Sequence, residues 1–387
     1  MTGFRIELEK KMEDAIYNYW GADNFDEERF GKFKNSVKEK FKDAIKKIIR
    51  YRSKQNGRVE MNGYIDRLEY IWNRLNNNSK PLLVDIIAYR LMGYKKIKLP
   101  LNSNVYWASL KKAKSLKTGN DTVDPHFLHF KLDRFNLRPI GYDLELYFFC
   151  GGVAIDFIIE QYAHKINNTY IIQAEKGDVV LDIGACWGDT ALYFADKVGD
   201  NGKVFSFEFI PENINIYNRN MELNAHYNSR IQLIQNPVAD VSGQKVYYQD
   251  FGPGSTISAT PFKNQTGNTT TISVDDFADR YNILKVDFIK MDIEGAEPAA
   301  LRGAINTIKK YRPKLAIAIY HSMEDFVNIP KWLMDLNLGY EFFLGHHTIH
   351  AEETIIYASA TGKWAIIKIY FKKYLSLIIM AVFVKYE

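Results

Sequence analysis

The run Val179-Val-Leu-Asp-Ile-Gly-Ala-Cys-Trp-Gly-Asp-Thr190 constrains the fold more than any other stretch of the chain. Apolar residues flank one acid, Asp182, and Gly184 and Gly188 follow it. The pattern predicts a buried strand that ends in a carboxylate and turns sharply into a helix. Glycine permits the turn and leaves room for close approach where a Cβ would clash. At the carboxyl end of a parallel strand, such a turn borders the switch point where doubly wound sheets hold nucleotides.

From about Asn168 onward, short apolar runs alternate with helical ones, the rhythm of βαβ units on a parallel sheet. Strands are expected at Val179–Ile183, Val204–Glu208, Ile231–Gln235, Phe288–Asp292, Leu315–Ile319, Glu341–Leu344 and Thr354–Ala358, with helices at Thr190–Lys197 and Glu212–Leu223. Lys245–Phe251 and Thr269–Val274 read as an inserted hairpin around a Gly/Ser/Thr/Asn-rich loop. The short link His346–Glu353 makes the last two strands antiparallel neighbours. The fold class is therefore α/β: a Rossmann-like, seven-stranded, mostly parallel sheet with an antiparallel last strand, plus a mainly helical N-terminal region. Three segments follow: a leader at 1–165 for substrate recognition, the nucleotide-binding domain at 166–360 and a basic-apolar tail at 361–387.

In the leader, one helix is expected to begin after Ser79, with Pro81 in its first turn, and to stop at Gly93. Short strands are expected near Ile97–Leu99 and Phe127–Leu132. Lys32–Arg58 holds eleven basic residues against Glu39 and Asp43. With Phe33, Val37, Phe41, Ile45 and Ile48 at helical spacing, it reads as a solvated helix face or as a patch for an acidic partner. For the tail, Lys363–Lys373 followed by Tyr374–Val384 suits either peripheral contact with an anionic membrane or docking on the leader or a second subunit, as in a homodimer.

Composition narrows the classes further. A net charge of +5 over 387 residues is far below that of a polybasic binder, so no nucleic-acid partner is expected. Hydrophobic residues at 47% exclude a disordered chain. Two cysteines, Cys150 and Cys186, point to a reducing compartment and a cytoplasmic location. Met1–Lys11 lacks the apolar centre of a signal peptide. Tyr374–Val384, the longest apolar run, would reach about 17 Å as a helix, against roughly 30 Å of hydrocarbon.

The chemistry is expected at the strand ends. Glu208 closes the second strand twenty residues past Gly188, where a carboxylate can accept both hydroxyl hydrogens of a ribose. A dinucleotide needs a Gly-x-Gly-x-x-Gly turn for its pyrophosphate and no acid beside it. Asp182 and the Gly-Ala-Cys-Trp-Gly spacing favour S-adenosylmethionine instead, which is cationic and carries no phosphate. Phe288-Ile-Lys-Met-Asp-Ile-Glu-Gly-Ala-Glu297 brings Asp292, Glu294 and Glu297 to the end of another central strand. Asp292 is expected to face the pocket, whereas Glu297 also suits the dipole of the helix starting near Pro298. His321, His346 and His347 follow strands on the same face. Asp292, Glu294 and His321 match no metal-ligand spacing, so no metal is expected.

These residues resemble the FkbM family of S-adenosylmethionine-dependent methyltransferases. The resemblance runs over about 160–360: Asp-Val-Val-Leu-Asp-Ile-Gly-Ala-x-x-Gly-Asp-Thr-Ala-Leu-Tyr-Phe-Ala at 178–195, Val-Phe-Ser-Phe-Glu at 204–208, the 288–297 run, Glu-Thr-Ile-Ile-Tyr-Ala at 353–358 and Glu160-Gln-Tyr162. It implies a class I methyltransferase fold and methylation of a hydroxyl on a sugar, polysaccharide precursor or natural product. It also implies that Asp182, Gly184, Ala185, Gly188 and Thr190 form the methionine-side turn. Glu208 and Phe209 would hold the ribose, and Asn236 and Val238 would flank the adenine. Cys186-Trp187 departs from the family's more usual pair and narrows the pocket. In-line displacement needs a base, for which Asp292 and His321 are the candidates. Ser255 and Thr256 in the 252–256 loop, with Glu294 and His347, are the candidates for meeting a small-molecule or glycan acceptor. A non-catalytic nucleoside-binding scaffold of surface-polysaccharide assembly and an NAD-dependent sugar enzyme remain as alternatives.

Overall fold

Seven strands in the second half of the chain pair into one sheet in the computed structural model, which describes residues 3–33, 63–128 and 131–360. Most of the Lys32–Arg58 run and all of Lys363–Val384 lie outside those residues, together with the expectations attached to them. The strands are β1 Val179–Ile183, β2 Lys203–Phe207, β3 Ile231–Ile234, β4 Phe288–Met291, β5 Lys314–Ala318, β6 Tyr340–His346 and β7 Thr354–Ala360. Their order is β6-β7-β5-β4-β1-β2-β3. β1 to β5 are parallel, and β7 runs antiparallel to both β5 and β6. All seven expected strands form, and the antiparallel last strand inserts between β5 and β6.

The chain leaves β1 outward through β2 and β3, then returns to β4 on the other side of β1. That reversal opens a crevice between β1 and β4 at their carboxyl ends. Side chains alternate across the sheet: Leu181 and Ile183 of β1 enter one core, and Val180 enters the other with Leu192, Phe194 and Val198 of the helix Asp189–Val198. The hairpin pairs Lys245–Gln249 with Gly267–Thr270, and Thr256–Ser258 adds to its other edge. Val274, expected inside its second arm, instead starts the helix Val274–Arg280, because the Ser273 hydroxyl caps it by accepting from Asp276 N at 3.1 Å.

The leader corrects the sequence expectation in part. Helices do form at Gly3–Ala15, 63–74, Lys80–Met92 and Asn104–Lys114. They are followed by a three-stranded antiparallel sheet of Lys117–Val123, Leu132–Asn136 and Glu145–Phe148. No strand forms at Ile97–Leu99: Asn24 Nδ2 donates to Ile97 O at 2.6 Å, taking the place of a strand partner. The strand expected from Phe127 starts only at Leu132, since His126 and Leu128 sit at φ 52° and 51°, outside extended geometry. Gly93, at φ 81°, ends the Lys80–Met92 helix as expected. Ser79 does not cap that helix with its side chain. Its hydroxyl accepts from Leu344 N at 2.9 Å and docks the helix on β6.

The edge strand Glu145–Phe148 is satisfied by side chains rather than by another strand. Asn220 and Asn224 stand one helical turn apart near the end of the helix Pro211–Leu223, both fully buried. Asn220 accepts from Tyr147 N at 2.7 Å and donates to Tyr147 O at 3.1 Å. Asn224 does the same for Glu145, accepting from its N at 3.0 Å and donating to its O at 2.5 Å. Two amides thus imitate a β-ladder and fasten the leader sheet to the half of the chain that holds the seven-stranded sheet. No helix among the described residues is long and apolar enough to cross a membrane. Asn220→Ala strands a buried N–H and C=O and is expected to lower unfolding free energy by about 2–4 kcal/mol; urea titration monitored by tryptophan fluorescence checks it.

Candidate functional site

Register places Lys290 of β4, Asp182 of β1 and Ser206 of β2 side by side across three strands. Lys290 and Asp182 are 1% and 0% exposed, with Nζ 3.3 Å from Oδ1. The Ser206 hydroxyl donates to Asp182 at 3.3 Å, and Thr190 donates to it at 2.9 Å from the first turn of the following helix. Lys290 Nζ also donates to the Gly184 carbonyl at 2.5 Å. Burial opposes the charge on Lys290, but Asp182, Asp292 and Asp189 more than restore it, holding its pKa above the usual value. The glycine turn is therefore braced from behind by a buried ion pair.

Gly184 is required by the sheet itself. At φ 91°, a Cβ there would lie 2.0 Å from the Asp292 carbonyl oxygen. Gly188, at φ 84°, abuts Tyr217 and Met221, where a Cβ would come within 2.9 Å of each. The sharp turn expected at these glycines is present, and the space of each missing Cβ is taken by other parts of the chain.

A cleft of 1050 Å³ opens above the ends of β1, β2, β4 and β5. At one end lies Glu208, 7% exposed, whose Oε1 accepts from Phe209 N at 2.6 Å and Ile210 N at 2.8 Å. Asn213 Nδ2 donates to Oε2 at 3.2 Å. Burial raises the Glu208 pKa to about 7 despite those donors and the Lys290 charge. Phe209, Asn236, Val238, Ser255 and Thr256 line the same end. Two of them already have internal partners: Asn236 Nδ2 donates to Thr270 O at 2.9 Å, and the Ser255 hydroxyl donates to Gly252 O at 2.7 Å. Trp187, 2% exposed, lines the cleft, donates from Nε1 to Asn213 Oδ1 at 3.2 Å and meets Phe148 edge-on.

The other end gathers acids. Asp292 accepts from Tyr162 at 3.1 Å and from Tyr320 at 3.2 Å, and its Oδ1 lies 3.1 Å from His321 Nε2. His321 Nε2 is also 3.1 Å from Glu297 Oε1, and Nδ1 is 3.7 Å from Glu294 Oε2. Burial would strip the imidazole of its proton, but Asp292 and Glu297 overcome it and raise the pKa to about 11. Burial likewise opposes ionisation of Asp292, yet the His321 hydrogen bond and charge hold its pKa below the usual value. A histidine that already holds its proton at neutral pH cannot accept another. The base role expected of His321 therefore does not fit this geometry, and its evident role is to position Asp292. Burial and the neighbouring Asp292 and Glu297 raise Glu294 to about 7.

Several expected contacts lie elsewhere. Asp182, Ala185 and Gly188 stand behind the cleft wall, while Gly184 and Thr190 line it. His347 does not line it either. Burial lowers its pKa to about 3, and its Nε2 sits 2.7 Å from the Tyr357 hydroxyl, which donates on to the Gln161 backbone carbonyl. It supports a cleft residue from the layer beneath.

The leader contributes through the segment Val153–Tyr162, which the sequence offers as cover for the acceptor pocket; Asp156 and Arg29 are cleft residues it did not single out. A π-helical turn, Val153–Ile159, brings Asp156 into the cleft lining beside Asp189. Burial and the neighbouring carboxylate push Asp156 well up, and burial raises Asp189 to about 7. Glu160 follows in left-handed backbone at φ 63°, and its carboxylate accepts from Tyr142 at 2.9 Å, Lys197 at 2.7 Å, Lys165 and Tyr170. Burial opposes that charge, but the two lysines win and lower its pKa to about 2. This anchor sets Gln161 and Tyr162 in the cleft, where Gln161 Nε2 donates to Tyr162 Oη and Glu353 Oε2 at 3.0 Å each. Arg29 pairs with Glu352 and Glu353 at the rim. One signal was present in the sequence: Lys290 interrupts an otherwise apolar strand.

Residues 182–342 match the model of the methyltransferase FkbM domain. No protein of curated function matches the chain. Among solved structures, the FkbM methyltransferase of Methylobacillus flagellatus aligns at 19% identity and a TM-score of 0.47, covering 78% of this chain and 60% of that one. The chain thus spans less than two thirds of that protein. Aeropyrum pernix fibrillarin, solved with natively bound S-adenosylmethionine, aligns at 16% identity and a TM-score of 0.34, covering 59% and 89% respectively.

The buried pair supplies a stability test. Lys290→Met leaves Asp182 without its counter-charge and is expected to cost about 3–5 kcal/mol in urea unfolding. The double variant K290M/D182N, which removes both charges and keeps the carboxamide's hydrogen bonds, is expected to unfold at higher urea than K290M alone.

Proposed function

Because residues 182–342 are an FkbM methyltransferase domain, we propose that the chain methylates a hydroxyl group of a sugar, polysaccharide precursor or natural product, with S-adenosylmethionine as donor. The observation that carries this is the make-up of the cleft, where Glu208, Asp156, Asp189, Asp292, Glu294, Glu352 and Glu353 outnumber Arg29, Arg90, Lys290 and His321 around a glycine turn. Such a lining suits a cationic cofactor and repels the phosphates of a dinucleotide. Bound S-adenosylmethionine supplies an activated methyl group on its sulfonium. The chain's own task is then mainly alignment of the acceptor oxygen with that methyl. Glu208 accepts from the ribose hydroxyls, and Asp292, fixed by Tyr162, Tyr320 and His321, orients the acceptor hydroxyl and draws off its proton. Phe127, Phe148 and Phe149 also line the cleft and supply apolar surface against which an acceptor can pack.

Two outcomes test this. Calorimetry is expected to show S-adenosylhomocysteine binding with an affinity that falls as pH drops below about 7. The sign follows from Glu208: its raised pKa leaves it ionised and hydrogen-bond-accepting above that pH, and protonated below it. Lys290, Asn213 and Cys186 face the same carboxylate. The affinity falls by up to about tenfold per pH unit, and Glu208→Gln flattens that profile. In turnover assays with acceptor extracts, Asp292→Asn is expected to slow methyl transfer by about 10²–10⁴-fold while S-adenosylhomocysteine affinity is kept. An unchanged rate excludes the Asp292 role.

A further inference from the structure

We infer that Asp292, Glu294 and His321 hold one divalent cation at the acceptor end of the cleft. One donor atom from each lies within 4.8 Å of the other two. The set mixes two carboxylates and an imidazole, which suits a first-row ion such as Mn2+ and, through its oxygens, Mg2+. Their spacing in sequence gives no hint of this, because His321 comes from the end of β5 and the two acids from the end of β4. Only the parallel pairing of those strands brings them together.

Two further observations point to a missing positive partner. Glu297 is fully buried, its Oε1 touches His321, and its Oε2 has no hydrogen-bond partner among the described residues. Gln161 is 2% exposed and lines the same cleft, with its amide nitrogen on Tyr162, and its Oε1 is likewise unpartnered. Charge leads the same way. Asp292, Glu294, Glu297 and Glu353 converge here, faced by His321, by Arg29, which is shared between Glu352 and Glu353, and by Lys290, which is already paired with Asp182. Uncompensated buried carboxylates are costly unless a cation joins them.

The ion takes the place of the proton that otherwise links His321 to its carboxylates. Three protein donors leave further coordination positions open, and a metal-bound hydroxyl is a stronger acid than a free one. The link between the ion and an acceptor hydroxyl rests on the methyltransferase reading, whereas the ion site itself rests on geometry alone.

Electron paramagnetic resonance and calorimetry of the full chain with Mn2+ alone test the site, without cofactor or acceptor. The expected result is one Mn2+ per chain, displaced by Mg2+, with Glu294→Gln and His321→Ala each weakening it by at least about tenfold. Lys245→Ala, at the exposed start of the inserted hairpin and outside the cleft lining, is expected to bind Mn2+ as the unaltered chain does. Absence of Mn2+ and Zn2+ binding up to about 1 mM overturns the inference, as does binding that both cluster variants retain. S-adenosylhomocysteine titrated into the same metal-free protein separates the two ideas. Cofactor affinity without Mn2+ binding removes the ion and keeps the methyltransferase, and Mn2+ binding without cofactor affinity does the reverse.

Discussion

A lysine and an aspartate, neutralising each other in the middle of a parallel sheet, hold the rest of this structure in place. Lys290 and Asp182 are register partners on β4 and β1, the two strands that flank the crevice. A lone charge at either position would be prohibitively costly, so each strand fixes the other's register as well as its charge. From Asp182 the brace passes through Thr190 to the helix and through Ser206 to β2. From Lys290 it passes to the Gly184 carbonyl and so sets the turn. The acids that face the cleft are free for chemistry because the acid behind it is already satisfied.

The cleft is built asymmetrically. The end around Glu208 is made by local sequence: Glu208 receives two backbone N–H groups from the residues immediately after it, a short-range arrangement. Its acidic end is made by distant elements. Tyr162 comes from the leader, Asp292 from β4, Tyr320 and His321 from β5 and Glu353 from the link before β7. Each is held by a further layer, with Glu160 anchoring the π-helical turn and Tyr357 fixing the Gln161 backbone. Asn220 and Asn224 keep the leader sheet in register with the domain that it serves. Docking of the leader is thus a condition for the acidic end, and it also brings Phe148 against Trp187 and Phe127 against Phe251 beside the cleft.

Much of this was legible in the linear pattern. Strands buried on both faces read as unbroken apolar runs, and an acid or glycine at the end of such a run stands out. That is why the seven strands, the glycine turn, Glu208 and Asp292 could be named from sequence. The leader was less legible. Its strands Lys117–Val123 and Leu132–Asn136 are largely polar or half-buried, and its edge is closed by asparagines on a helix, for which no short-range signal exists. His347 shows the opposite error. It follows a strand on the correct face, but packing against Tyr357 keeps it out of the cleft.

By itself, the sequence determined the sheet, its switch point and the carboxylates available there, because hydrophobic period and turn chemistry are local properties of the chain. Tertiary structure alone decided which of those groups meet. It set Asp182 against Lys290, gave His321 three acidic neighbours and brought Asp156 to Asp189. Charge and proton affinity depend on what lies within a few ångströms across the fold, and that distance is not written in residue spacing.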